Sequence, residues 1–382
     1  MSFDMDALAD RTEPNASVLA RSEETIADHA ALPLDPERLQ RAKRSYAARH
    51  LPPAAARRLL PEGPRPRAGQ LLLARVLRIG HHAKLELANG RRAALYEGDE
   101  LVLVYADRYA SDQFEARVPD RLEPCHLIAA GGIAAQCLSR HERSRRPTEI
   151  APVGLLADAA GRPLDLRRFA PLSLPGRPAA PRGGRPRTIA VLGTAMNAGK
   201  TTTVAALIRG LRRCGLRVGA AKVTGTGAGG DRWACLDAGA EPVLDFTDFG
   251  LPSTHRLPAT THEALLAGLL EAHRRAGSEV VIVEIADGLL FEETARLVAS
   301  PLFRRAIDGI VLAAADAMGA LGAVQWLTAR ELVPLAIGGR VTTSPLARRE
   351  LESALGLPVV DIATIVDGRW LPEPALGGRA AA

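Results

Sequence analysis

The chain has 382 residues, 47% hydrophobic and 24% charged, the proportions of a globular protein of two or three domains. Its net charge of +6 comes from dispersed arginines (only Lys43, Lys84, Lys200 and Lys222 are lysines), and aromatics are 4%, which argues against a nucleic-acid role for want of a base-stacking surface. No apolar run reaches the roughly 18 residues of a membrane span, the acidic start lacks a signal-peptide core, and Cys125, Cys137, Cys214 and Cys235 form no C-x-x-C pair, so a cytoplasmic setting without zinc knuckle or disulfides is expected.

Residues 1–66, rich in Ala, Arg and Pro, are expected as a helical or partly disordered lead-in, with one helix capped by Asp35 ahead of Pro36. Residues 67–176 change character. Leu71–Ile79, Lys84–Leu87 and Asp99–Tyr105 are short apolar or alternating runs, and Asn89-Gly90 between them signals a hairpin. A second hairpin is expected around Ala160-Gly161, and a Gly131-Gly132 turn leading toward a short helix. This is a small β-rich domain, with a barrel as one form it can take. Residues 177–187, Arg- and Pro-rich, read as a linker.

From Thr188 to Ala382, strands alternate with helices. Strands are expected at Ile189–Leu192, Val218–Val223, Val280–Glu284, Gly309–Ala313, Leu332–Ile337 and Val359–Asp361. The fold class is therefore α/β: a mainly parallel sheet wrapped by helices, preceded by the β-rich domain.

The strongest signal is an apolar strand, Thr188–Leu192, running through Gly193-Thr194-Ala195-Met196-Asn197-Ala198-Gly199 into Lys200-Thr201-Thr202 and a helix. A small-residue loop at a helix N-terminus cradles phosphate oxygens with backbone N–H groups. Gly193, Thr194, Asn197, Ala198, Gly199, Lys200, Thr201 and Thr202 are the nucleotide-binding candidates. Lys200 is expected on the β/γ-phosphates and the Thr201 hydroxyl on Mg²⁺. Five residues separate the two glycines, one more than in the commonest form of this loop.

That spacing, with the Gly-Thr start and Gly-Lys-Thr end, resembles dethiobiotin synthetase and its relatives. Val218–Gly225, with Lys222, looks like that family's second strand, and Val280–Gly288, with Glu284, like its acidic strand end. Gly229–Ala240, with Asp231 and Trp233, is similar to a segment of the molybdopterin-guanine dinucleotide accessory proteins. The likeness covers roughly residues 188–365. It implies that Lys222 faces substrate and γ-phosphate beside Lys200 as a catalytic pair, that Asp231 lies near Mg²⁺, and that the protein forms a homodimer. In the synthetases an Asn reads adenine. The matching stretch, Arg340–Pro345, has Thr342 and Thr343, so ATP is expected, with GTP left open.

Glu284 ends an apolar strand, where a lone carboxylate is costly unless paired or on a metal, so a Mg²⁺ set of Thr201, Asp231 and Glu284 is expected. Asp287 reads equally as a turn residue. Thr224–Gly227 is either an anion-binding loop or a bland turn, and Trp233 either closes over substrate or is half-buried. The Asp245–His255 stretch reads as a polar loop whose placement resembles a substrate-facing loop of the synthetases, with His255 an acid–base candidate. In the β-rich domain, Tyr105–Gln113 groups Arg108 and Tyr109 in a way suited to a carboxylate. The Cys125-His126 pair points apart on a strand and is a poor nucleophile.

Two functions are consistent with this. The main one is an ATP-dependent ligase or kinase phosphorylating a small carboxylate or amine. The other is a nucleotide-switch accessory protein that docks a partner in cofactor biosynthesis or delivery.

Overall fold

The computed structural model describes residues 31–176 and 184–377. Five strands of the first stretch close on themselves. Thr148–Ala157 pairs with Leu71–Arg78, which pairs with Glu100–Tyr105, which runs parallel to Ile133–Arg140, which pairs with Cys125–Ala129, which returns to Thr148–Ala157. Successive residues alternate between two buried faces: Leu72, Ala74, Leu101 and Leu103 in one cluster, Leu71, Leu73, Val102 and Val104 in another. With both faces covered, these strands read as continuous apolar runs. The expected hairpin forms between Lys84–Glu86 and Arg92–Ala94.

Residues 31–66 differ from the expected lead-in. The helix Pro36–Arg41 does form behind the Asp35 cap. Beyond it, Leu32–Pro33 and Arg58–Leu60 extend the barrel sheet from Thr148–Ala157. Tyr46, Ala47 and Ala48 are buried in the domain core. Leu34, Ala42, Leu51, Ala56, Leu59 and Leu60 are buried as well, while Leu32 and Ala54 stay exposed. Residues 1–30 and most of the linker (177–183) lie outside the described residues. Gly131-Gly132 leads into the strand Ile133–Arg140, not a helix.

We number the elements of the C-terminal half separately. Its sheet comprises β1 (Arg187–Gly193), β2 (Val218–Lys222), β3 (Val243–Asp245), β4 (Val280–Glu284), β5 (Gly309–Ala313) and β6 (Ala336–Gly338). All neighbours are parallel, in the order β3-β2-β4-β1-β5-β6. Among the covering helices are α1 (Lys200–Arg213), α2 (Gly230–Asp237) and α3 (Ala259–Arg275). Ile189 and Val191 face one apolar layer, Ala190 and Leu192 the other. From β1 the chain goes to β2 and β3 on one side, returns to set β4 between β2 and β1, then crosses to β5 and β6 on the other side, and such a reversal opens a crevice at the strand C-termini.

Four details depart from expectation. β3 was not anticipated, and Phe246–Phe249 after it is a capped 3₁₀ turn with Thr247 and Asp248 buried, not a polar loop. The strand expected from Leu332 starts at Ala336. Val359 contributes only a single bridge, to Ile337.

Candidate functional site

The crevice at the head of β1 is built from four chain segments. Gly199 caps α1 at φ +98°, and a Cβ there would lie 3.1 Å from the Gly339 backbone, so only glycine lets the loop turn this tightly. Thr194 N donates to Ala313 O at 3.0 Å, and its hydroxyl accepts from Ala315 N at 3.1 Å. Ala198 O accepts from Arg340 N at 2.9 Å, which ties the 340–343 turn to the loop. The hydroxyls of Thr342 and Thr343 donate to main-chain oxygens of that turn at 2.8 Å. Thr202 is exposed on the first turn of α1.

Lys200 is 4% exposed, and burial lowers its pKa. Its Nζ donates to the main-chain oxygens of Ala195 (2.8 Å), Met196 (3.2 Å) and Asp287 (2.9 Å). Asp287 adopts φ +63°, and Leu289 N donates to Gly193 O at 3.1 Å, so the loop after β4 packs on the phosphate loop. Lys200 thus holds the two loops together through oxygens it can exchange for phosphate.

A second cluster gathers at Thr201, in the first turn of α1. Thr201 Oγ1 donates to Asp231 Oδ1 at 2.9 Å and approaches Glu284 Oε1 at 3.4 Å. Lys222, opposite Glu284 in the β2–β4 register, donates to both Asp231 and Glu284. Burial works against the Lys222 charge, but the two carboxylates outweigh it and push its pKa up. Burial pushes the buried Glu284 up, with Lys222 pulling the other way. For Asp231 burial also acts upward, but Lys222 and the Thr201 hydroxyl prevail and hold it below the usual range. An ammonium group therefore already sits among one hydroxyl and two carboxylates. Among the described residues, no group of three or more His, Cys, Asp and Glu forms a metal cage. Two carboxylates and a hydroxyl fit Mg²⁺, which takes hard oxygens and leaves further positions to water and phosphate.

The barrel closes one side of the site. Glu86 is buried, and its two oxygens accept from Gly229 N and Trp233 Nε1, both at 2.8 Å, at the start of α2. Trp233 meets Tyr46 edge-on at 6.1 Å between ring centroids, so it covers a barrel side chain rather than a substrate. Gly90 lies so near that a Cβ on it would come within 2.7 Å of the Trp233 ring. Asn197 donates its amide to Asp112. Arg49 and Arg232 converge on buried Asp248 at 2.9 and 3.0 Å, and His50 reaches it at 3.3 Å.

Other expectations change. In Thr224–Gly227, the N–H of Gly225 donates to Thr254 Oγ1 and that of Gly227 to Pro252 O, both at 2.8 Å, so these donors are already committed to the fold. His255 pairs with Glu293 at 3.0 Å beside Tyr109 and Phe291, whose rings stack at 4.3 Å. Burial pushes Cys125 up to about 12, which leaves the thiol inert. Glu86 had no sequence signal as a site residue, because its partners Gly229 and Trp233 lie in the other half of the chain, and the stretches holding Asp112 and Asp248 were singled out without their partners.

No family model matches the chain, and no curated protein matches it. Among solved structures it is similar to the signal recognition particle receptor FtsY from Elizabethkingia anophelis, with 19% identity, coverage of 51% of this chain and 61% of that one, and a TM-score of 0.34. It is also similar to the signal recognition particle 54 kDa protein from Aeropyrum pernix K1 in complex with GDP, with 20% identity, 51% and 44% coverage, and a TM-score of 0.33. The chain spans about three fifths of the length of that FtsY. At these values the likeness carries no weight beside the geometry. By its own elements, the C-terminal half is a mixed α/β unit with a parallel sheet and, at the head of β1, the strand–loop–helix of a P-loop NTPase-like fold.

Proposed function

We propose that the chain binds a Mg²⁺–nucleoside triphosphate on residues 193–202 and acts as a nucleotide-dependent switch whose barrel domain responds to the terminal phosphate. The observation that carries this is the convergence of Lys200, Thr201, Lys222, Asp231 and Glu284 at the head of β1. Lys200 gives up its main-chain oxygens and takes β/γ-phosphate oxygens. Thr201, Asp231 and Glu284 hold the metal, and Lys222 keeps the two carboxylates in place. Mg²⁺, when bound, neutralises charge on the β/γ-oxygens. The switch reading is supported by the direct fastening of the barrel to the phosphate loop (Asp112–Asn197) and to the helix bearing Asp231 (Glu86–Trp233).

A second reading, phosphoryl transfer to a small carboxylate or amine, is favoured by Lys222. It is a second cation suited to a phosphoryl group in flight, and it is the residue the dethiobiotin synthetase resemblance marks. The test is a thermal-shift series with ATP, GTP and Mg²⁺, followed by a metabolite panel. Stabilisation by one triphosphate that needs Mg²⁺ is expected. A further shift from one carboxylate or amine moves the conclusion to the second reading, and no shift from any nucleotide overturns both.

A further inference from the structure

Of the Tyr105–Gln113 stretch, this reading uses only Asp112. At the centre of the stretch Arg108 is 6% exposed. Its Nη2 donates to Gln113 Oε1 at 2.8 Å, while Nε and Nη1 are buried with no partner. Asp112 Oδ1, four residues on, is also buried without one. A buried cation with unmade hydrogen bonds is costly, and each such group calls for an explanation such as an absent ligand.

Two carboxylates act on the charge of Arg108. Burial lowers its pKa to about 10, leaving it charged at neutral pH, and the opposite charges acting on it are Asp112 and Asp287. Asp112 accepts from Asn197 of the phosphate loop. The main-chain oxygen of Asp287 accepts from Lys200. Arg108 therefore lies on the barrel side, four residues from the carboxylate that holds Asn197 of the phosphate loop.

Resting on the nucleotide-binding reading above, we propose that Arg108 is the barrel domain's ligand for the terminal phosphoryl group of the bound triphosphate. That oxyanion would take the donors on Nε and Nη1, and charge-assisted contacts of this kind are the strong ones. A diphosphate lacks the group and leaves Arg108 as it is. The barrel thereby gains a direct contact that distinguishes triphosphate from diphosphate.

The test is calorimetric binding of non-hydrolysable ATP and GTP analogues, and of ADP and GDP, with Mg²⁺, to wild type, Arg108→Met and Arg108→Lys. Melting of the nucleotide-free proteins is measured in parallel. Arg108→Met is expected to lose roughly tenfold or more in triphosphate affinity, the size of a charged hydrogen bond. It should keep diphosphate affinity and melt no lower than wild type. Unchanged triphosphate affinity, as when Arg108 holds a co-substrate carboxylate instead, overturns the proposal, and so does equal loss for both nucleotides. A much lower melting temperature shows a structural partner and also counts against it, and Arg108→Lys then reads the same affinity ratio in a folded protein. If wild type binds no nucleotide, the phosphate-loop reading itself has failed, a result distinct from a wild type that binds and variants that match it.

Discussion

Trp233 Nε1 donates to Glu86 Oε1 at 2.8 Å across the seam between barrel and sheet, two residues from Asp231. Glu86 also accepts from Gly229 N. Removing it in Glu86→Ala leaves two buried donors unmade, at about 2 kcal/mol in unfolding free energy. Trp233 is also a built-in probe. In a Trp326→Phe/Trp370→Phe background its emission is expected to change on triphosphate binding, and Glu86→Ala should shift the starting spectrum and shrink that change. Steady-state fluorescence checks both.

Lys200→Ala removes the cation that binds three main-chain oxygens. A ligand at a hundred times its Kd adds about 2.7 kcal/mol to stability. Wild type should show that gain with the preferred Mg²⁺–triphosphate, and Lys200→Ala none, in matched thermal-shift series.

Lys222→Met leaves Asp231 and buried Glu284 facing each other without their counter-ion. Breaking a buried pair costs about 3 kcal/mol, so the nucleotide-free variant should melt well below wild type. Mg²⁺ alone should then recover part of the loss, while wild type shows little response to Mg²⁺ without nucleotide. Glu284→Gln in the same series should abolish the recovery.

Asp248 sets an acid limit. Burial acts to raise its pKa, but the His50 hydrogen bond and the charges of Arg232 and Arg49 outweigh it, taking the group from 3.8 down to about 2. A depressed carboxylate contributes stability that is full above its unfolded value and lost as pH falls through the folded one. The seam should therefore weaken between about pH 4 and pH 2. Asp248→Asn should be less stable at neutral pH and show a flatter slope across that window, in denaturant melts at stepped pH.

Much of the C-terminal half was legible because its information is local. Ile189–Leu192 and Val280–Glu284 are apolar runs with a glycine or carboxylate at the end, and Gly199-Lys200-Thr201 demands a helix start. β3 is only three residues long and follows a proline, too short for a periodicity to register. Residues 31–66 were read as peripheral because their apolar positions are sparse, yet Tyr46 is fully covered by packing that only the tertiary fold provides. The site itself was half visible. Lys200, Thr201, Lys222, Asp231 and Glu284 were expected from motif and resemblance. The partners of Asp112 and Glu86 could not be, since Asn197 lies 85 and Gly229 143 positions away, and the unmade bonds of Arg108 leave no partner in the sequence to read.

The five-strand ring of the barrel gives its contacts a mechanical meaning. The contacts of Asp112 with Asn197, Glu86 with Trp233 and Arg49 with Asp248 leave from segments outside those five strands, so the closed ring is the common base from which three appended segments reach the other half. On the switch reading proposed above, reciprocity requires a molecule that grips the barrel to change nucleotide affinity by the same factor that nucleotide changes its own grip.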